Sequence, residues 1–153
     1  MPTIPPAARG VPRIVLDSNA VLDWLYFRDP RCATLAEAVT SRRVQWIASA
    51  AMRDEIERVL ARDSLGARWP DGAASVREGW QRWATTVEAN APIAPLALRC
   101  ADTDDQKFID LALHVRAIAL LSADRAVLRL ARRANAWGLA ITTVAGWRFE
   151  PSA

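Results

Sequence analysis

The sequence is poor in the residues that zinc sites and many nucleophilic sites require. Its 153 residues include one histidine, His114, and two cysteines, Cys32 and Cys100. These residues cannot form a Cys₂His₂ zinc site, and no Cys-x-x-Cys pair is present. His114 falls among apolar residues of a predicted helix, which argues against a Ser-His-Asp triad. Two free thiols in a reducing compartment are the simplest interpretation of the cysteines.

Nucleotide-binding loops and membrane-spanning segments are also missing. The only lysine, Lys107, lies outside any Gly-x-x-x-x-Gly-Lys-Ser/Thr motif, and no Gly-x-Gly-x-x-Gly occurs. The longest uncharged stretch, 134–147, is too short and too mixed in composition to span a bilayer. The N-terminus lacks the basic and then apolar segments of a signal peptide. We therefore expect a cytoplasmic protein with no membrane partner.

The composition is that of a folded protein with a slight excess of positive charge. Hydrophobic residues make up 52% of the chain and charged residues 24%, as in globular domains. The net charge is +3, and every basic residue except Lys107 is an arginine. Arginine suits contacts with phosphate, although genomic base composition can produce the same excess. A chain of this length can bury a core without disulfides or a structural metal.

Hydrophobic periodicity predicts short strands that alternate with helices. The predicted strands are 13–16, 44–48, 117–122 and 139–144, and the predicted helices are 18–27, 31–42, 49–62, 73–90, 104–116 and 124–136. We expect residues 1–12 to be a flexible tail, 13–148 a single domain and 149–153 a C-terminal tail. The alternation favours a three-layer α/β/α, Rossmann-like fold with a central, mostly parallel sheet. Such sheets bind ligands beyond the carboxyl ends of their strands.

Two predicted strands run into aspartates at that end of the sheet. Asp17 directly follows strand 13–16, and Asp124 follows strand 117–122 by two positions. Both aspartates also precede predicted helices, where aspartate is a common N-cap. Either residue alone is therefore compatible with capping or with chemistry.

The predicted helix 104–116 contributes a third acid. With about 100° per residue, Asp105 falls near the centre of the apolar face, in line with Ile109, whereas Asp110 falls on the opposite side. A carboxylate that faces a core is costly unless it is paired or binds a metal. The alternative is that the helix dipole favours an acid in the first turn. Asp104, toward the edge of the same face, is the main competitor.

Glu55 is the fourth candidate, on the predicted helix 49–62. It flanks the apolar stripe of that helix, although a surface acid beside Arg53 or Arg58 would show the same pattern. Four acids from separate segments at one end of a sheet would repel one another, and a divalent cation would hold them together. Ligands that are all oxygen suit Mg²⁺ or Mn²⁺, and such ions serve phosphoryl chemistry.

Four segments around these acids resemble the PIN-domain family. Residues 13–19, Arg-Ile-Val-Leu-Asp-Ser-Asn, are similar to its opening strand and Asp-x-Asn signature. Residues 49–60 resemble the segment that supplies its glutamate. Residues 102–112 are similar to the Asp-x-Asp-Asp-x-x-Phe-x-x-x-Ala stretch of one bacterial branch, and 120–124 to the final Thr/Ser-x-Asp element. The four segments follow the family's order over residues 13–146.

The resemblance implies a PIN-like α/β/α fold and a Mg²⁺- or Mn²⁺-dependent endoribonuclease that hydrolyses RNA phosphodiester bonds. The positions that match the family's catalytic and metal-binding acids are Asp17, Glu55, Asp105 and Asp124. Asn19 and Ser122 would support the site by hydrogen bonding, and Asp102 matches a frequent acidic position of the bacterial branch.

The resemblance also implies partners. Many bacterial members are VapC-like toxins of type II toxin–antitoxin pairs, so an RNA substrate, a small antitoxin protein and a homodimer are implied. Arg125 and Arg129, on the helix after Asp124, are candidate RNA contacts, with a solvated face as the alternative. The alternative function is a PIN-like domain that binds RNA or a partner with little or no nuclease activity, against which the presence of all four acids argues.

Overall fold

A five-stranded parallel sheet organises the protein. The computed structural model describes residues 10–62, 69–87 and 91–149. The strands of the sheet are β1 (Arg13–Leu16), β2 (Gln45–Ser49), β3 (Ala84–Val87), β4 (Ala119–Leu121) and β5 (Ala140–Thr142). They lie in the order β3-β2-β1-β4-β5, and every neighbouring pair is parallel. The predicted α/β class with a parallel sheet is confirmed.

Helices flank the sheet and complete a three-layer α/β/α fold. They are α1 (Ser18–Leu25), α2 (Ala33–Thr40), α3 (Ala50–Arg62), α4 (Pro70–Trp83), α5 (Gln106–His114), α6 (Arg125–Leu128) and α7 (Ala131–Asn135). Short 3₁₀ turns lie at Pro30–Cys32, Leu96–Leu98 and Thr103–Asp105. Strands β1 and β4 are apolar throughout their buried positions, as expected of parallel strands covered on both faces. Among the described helices, none is long and apolar enough to cross a membrane.

The strand order places the reversal of the sheet between β1 and β4. The chain runs outward from β1 through β2 to β3, and then returns to the other side of β1 with β4 and β5. This reversal is the switch point of the sheet, where the loops after two adjacent strands diverge and leave a crevice. The backbone N–H of Asp17 donates to the carbonyl of Leu121 at 3.0 Å. The loops that follow β1 and β4 therefore start side by side.

Strand β3 corrects the predicted helix 73–90. Helix α4 begins earlier, at Pro70, and ends at Trp83, where Ala84 takes an extended backbone conformation. Residues 85–87 are Thr-Thr-Val, three consecutive β-branched side chains that favour a strand, and they pair with β2. The apolar spacing of 73–83 extends into these residues, which explains why the helix was predicted too long.

The predicted strand 13–16 is confirmed with its bounds, and the other predicted elements are confirmed with shifted ends. The predicted helix 124–136 is two short helices, α6 and α7. The predicted helix 104–116 begins as the 3₁₀ turn Thr103–Asp105, and its α-helical part is α5. Of the predicted tails 1–12 and 149–153, the structure describes only residues 10–12 and 149, and the rest lies outside the described residues. The single domain over 13–148 stays a prediction.

Candidate metal centre

Asp17 is buried at the start of α1 and has partners for both carboxylate oxygens. It caps the helix, because its Oδ1 accepts from the backbone N–H of Ala20 at 2.9 Å. Its Oδ2 accepts from the hydroxyl of Ser122, which follows β4. Only 4% of Asp17 is exposed. The capping interpretation of Asp17 is therefore correct, and a hydroxyl across the switch point holds the same carboxylate in place.

Ser122 connects Asp17 to Asp124. While its hydroxyl donates to Asp17, its Oγ accepts from the backbone N–H of Asp124 at 3.0 Å. Asp124 caps α6, since its Oδ1 accepts from the N–H of Ala126 at 2.8 Å. The supporting role predicted for Ser122 thus has a definite geometry, in which one buried hydroxyl fixes two acids that lie far apart in the sequence.

Asp102, Asp105 and Asp124 form a cluster of carboxylates, one oxygen from each lying within 4.8 Å of the others. Asp105 ends the 3₁₀ turn and precedes α5, and its Oδ2 is buried without a hydrogen-bond partner. Asp102 begins the turn, and its Oδ1 accepts from the N–H of Asp104 at 3.0 Å. The Asp104 side chain is exposed and outside the cluster. The structure therefore favours Asp105 over its competitor and brings in Asp102.

The cluster is electrostatically unfavourable when no cation is bound. Burial, and after it the neighbouring carboxylate of Asp124, together raise the pKa of Asp105 to about 7. Burial also raises the pKa of Asp17 to about 6, although the hydrogen bond from Ser122 opposes this shift. The charge of Asp124 contributes to both shifts. Carboxylates that lie close together raise one another's pKa values unless a positive charge lies among them.

The donor set fits a hard divalent cation. Three carboxylates can supply oxygen ligands, and the unpartnered Oδ2 of Asp105 is a buried acceptor that a cation would satisfy. The cluster contains no histidine or cysteine, so its chemistry suits Mg²⁺ or Mn²⁺ better than zinc. Asp102, Asp105 and Asp124 could therefore hold a metal ion.

Glu55 lies outside this cluster and is held by two other side chains. Its Oε2 accepts from the hydroxyl of Ser18, and its Oε1 accepts from the ammonium of Lys107 at 2.8 Å. Glu55 therefore contacts the neighbours of Asp17 and Asp105, and its predicted role as a catalytic and metal-binding acid stays a prediction. Lys107 was not among the residues that the sequence predicted for the site, and its position two residues after Asp105 is the one sequence signal that it lies nearby.

The remaining candidates lie at the surface. Asn19 is exposed in the first turn of α1, and its side chain makes no hydrogen bond within residues 10–62, 69–87 and 91–149. Its supporting role stays a prediction. Arg125 and Arg129 are exposed on and just after α6, next in sequence to Asp124. Their role as RNA contacts stays a prediction.

The comparison with protein families decides the class of this site. Residues 13–126, well over half of the chain, match the family model described as PIN domain. The chain belongs to the PIN domain family. The match extends from the start of β1 to just past Asp124 and so includes Asp17, Glu55 and Asp105. No curated protein matches the sequence.

Family membership gives the acid cluster its context. PIN domains are generally nucleases and usually use a divalent metal. In this PIN domain Asp17 and Asp124 come after β1 and β4, the two strands at the switch point of the sheet, and Asp105 directly precedes α5. The fold of a nuclease and a carboxylate cluster able to bind metal therefore occur together.

Proposed function

We propose that this PIN domain is a Mg²⁺- or Mn²⁺-dependent endoribonuclease. The observation that carries the proposal is the buried, unpartnered Oδ2 of Asp105 in a cluster with Asp102 and Asp124. A protein that only bound RNA would gain nothing from placing three carboxylates this close together, because that arrangement disfavours their charged form. A divalent ion held among them would offset the repulsion.

In the proposed mechanism Asp102, Asp105 and Asp124 would hold the ion, and Asp17 would contact it directly or through water. The ion would supply Lewis acidity toward phosphate oxygens, a more acidic water and charge stabilisation for the departing oxygen. Ser122 keeps Asp17 and Asp124 in fixed positions, so little reorganisation is needed when substrate arrives. Asp17 and Asp124 are also the N-caps of α1 and α6, so a backbone N–H holds one oxygen of each carboxylate.

Wild-type protein should cleave a structured RNA when Mn²⁺ or Mg²⁺ is present and stop when EDTA is added. Excess Mn²⁺ should then restore cleavage, because the acids remain folded in place. Product analysis on a denaturing gel measures this. RNA that binds and stays intact with both ions would refute the proposal and support the alternative, a PIN domain that only binds.

We propose that Arg125 and Arg129 contact the RNA backbone. Both are exposed; Arg125 directly follows Asp124 and Arg129 lies about one helical turn further on, whereas Arg43 precedes β2 and lies at the opposite end of the sheet. Changing Arg125 and Arg129 to alanine should weaken RNA binding about tenfold and reduce its salt dependence, as the loss of phosphate contacts does. Arg43→Ala is the control. Equal binding by both variants, measured by fluorescence anisotropy over a salt series, would exclude this role.

We propose further that the chain is the toxin of a toxin–antitoxin pair in the cytoplasm, with a small antitoxin protein as its partner and a homodimer as its assembly. The support is the resemblance of the chain to the PIN-domain family, many of whose bacterial members are such toxins, and the similarity of residues 102–112 to one bacterial branch of it. The net charge of +3 suits an RNA target, because part of the acidic charge is gathered at the proposed metal site. Growth inhibition by the expressed chain, relieved by a small protein encoded beside it, is what this proposal requires.

A further inference from the structure

An ion pair between Glu55 and Lys107 lies beside the acid cluster and has no part in the mechanism above. The ammonium of Lys107 donates to Oε1 of Glu55 at 2.8 Å, and the side chains are 28% and 23% exposed, respectively. Long, flexible side chains form such a pair at an entropic cost, which solvent-exposed pairs seldom recover. This pair is largely shielded from water, so its geometry is held more firmly.

Further contacts fix both partners of the pair. Lys107 also donates to the backbone carbonyl of Asp104 at 2.5 Å, and its nitrogen lies 4.8 Å from the ring centre of Phe108. The other oxygen of Glu55 accepts from the hydroxyl of Ser18. Glu55 is thereby tied to Ser18, the residue after Asp17, and through Lys107 to Asp104, the residue before Asp105.

The charge of Lys107 has a consequence for the number of metal ions. Asp17 and Glu55 are the predicted site acids outside the cluster of Asp102, Asp105 and Asp124, and Asp17 is buried with a hydrogen bond to each of its oxygens. Glu55 is therefore the acid that a second divalent ion would use. Its negative charge is already balanced by an ammonium that the chain itself supplies. A second ion at Glu55 would have to displace Lys107 and would be repelled by it at short range.

We propose that Lys107 is the built-in counter-cation of Glu55, so that the site takes one divalent ion and not two. Glu55 is then a positioning residue that ties α3 to the turns carrying Asp17 and Asp105, rather than a metal ligand. This inference rests on the proposed function for the identity of the ion. It concerns the count of ions and the role of the pair, which can be measured without substrate.

Calorimetric titration of the full, EDTA-treated chain with Mn²⁺ tests the proposal. Wild type should bind one Mn²⁺. Lys107→Met keeps the length of the side chain but removes its charge, so Glu55 becomes available and the count should rise to two. Lys107→Arg restores a cation and should bind one. The double change Glu55→Gln with Lys107→Met removes both charges and should also return the count to one.

Two outcomes would overturn the proposal: two Mn²⁺ bound by wild type, or one bound by Lys107→Met. Circular dichroism and thermal unfolding show whether the variants are folded. If Lys107→Met does not fold, the number of Mn²⁺ ions bound by wild type tests the proposal. Failure of the proposed function gives a different pattern. If wild type binds one Mn²⁺ but leaves RNA intact, the proposed nuclease activity is wrong and the proposed role of Lys107 is supported. If wild type binds two Mn²⁺ and cleaves RNA, the nuclease activity is supported and the role of Lys107 is wrong.

Discussion

Asp105→Asn should lower Mn²⁺-dependent RNA cleavage by about 1000-fold, equivalent to about 4 kcal/mol of transition-state stabilisation. Asparagine has the same shape as aspartate, so the 3₁₀ turn before α5 should survive the change. Its neutral amide, however, cannot replace the carboxylate whose unpartnered Oδ2 is buried in the cluster. We therefore expect a lower cleavage rate at saturating RNA and a lower affinity for Mn²⁺, which calorimetry measures.

Asp104→Asn is a matched control for that experiment. It makes the same change in charge at the adjacent residue, but the Asp104 side chain is exposed and outside the cluster. We expect it to retain cleavage within about threefold of wild type, because screening by water and salt weakens the influence of a surface charge. Similar losses in the two variants would show that general charge, and not coordination by Asp105, governs activity.

The same pair of variants tests the toxin proposal in cells. If cleavage of RNA by this chain inhibits growth, expression of wild type and of Asp104→Asn should slow a bacterial host, and expression of Asp105→Asn should not. Comparable protein levels on a blot are needed for the comparison. Slow growth with Asp105→Asn would show that toxicity does not depend on the acid cluster.

The sequence predicted the acids of the site better than their arrangement. Asp17 and Asp124 follow buried apolar strands, and parallel strands end at one edge, so their proximity across the switch point was predictable. Asp105 was favoured over Asp104 because of its helical phase. The structure supports that choice for a related reason: the residue lies in a 3₁₀ turn that leads into α5, with its carboxylate partly buried.

Two features of the structure could not be predicted from the periodicity of the sequence, each for a different reason. Lys107 and Glu55 lie 52 positions apart, and the pair depends on how α3 and α5 pack against the sheet, so no local pattern predicts it. Strand β3 was hidden for another reason, because the apolar spacing of α4 extends into it and its β-branched residues were a weaker signal. Burial and charge pairing are tertiary properties, and sequence alone gives only their candidates.

Asp17→Asn should have opposite effects on activity and on stability. Burial raises the pKa of Asp17 from 3.8 to about 6, so the folded, metal-free protein holds an ionised carboxylate there at a cost. With about 1.4 kcal/mol for each pKa unit, that cost is about 3 kcal/mol at neutral to basic pH. The variant removes it and should unfold at higher urea concentration than wild type in EDTA, while its cleavage of RNA is lost.

The pH dependence of this effect follows from the direction of the shift. The folded state binds the proton more tightly than the unfolded state, so wild type loses stability as pH rises from about 4 through about 6 and then levels off. The advantage of Asp17→Asn should accordingly shrink from about 3 kcal/mol near pH 8 to about 1 kcal/mol near pH 4.5. Saturating Mn²⁺ should narrow the gap at pH 8, since an ion that binds only the folded state stabilises wild type more.

Asp29→Asn provides the matched comparison, because Asp29 also caps a helical turn with its carboxylate. The hydrogen bond from Arg31 lowers the pKa of Asp29, so its ionised form is favoured in the folded state and the change should destabilise the protein at pH 8. Asparagine is an effective N-cap at either position, so the opposite signs isolate charge from capping. If Asp17→Asn destabilises the metal-free protein at pH 8, the carboxylate is not under electrostatic strain and the case for a cation at this site weakens.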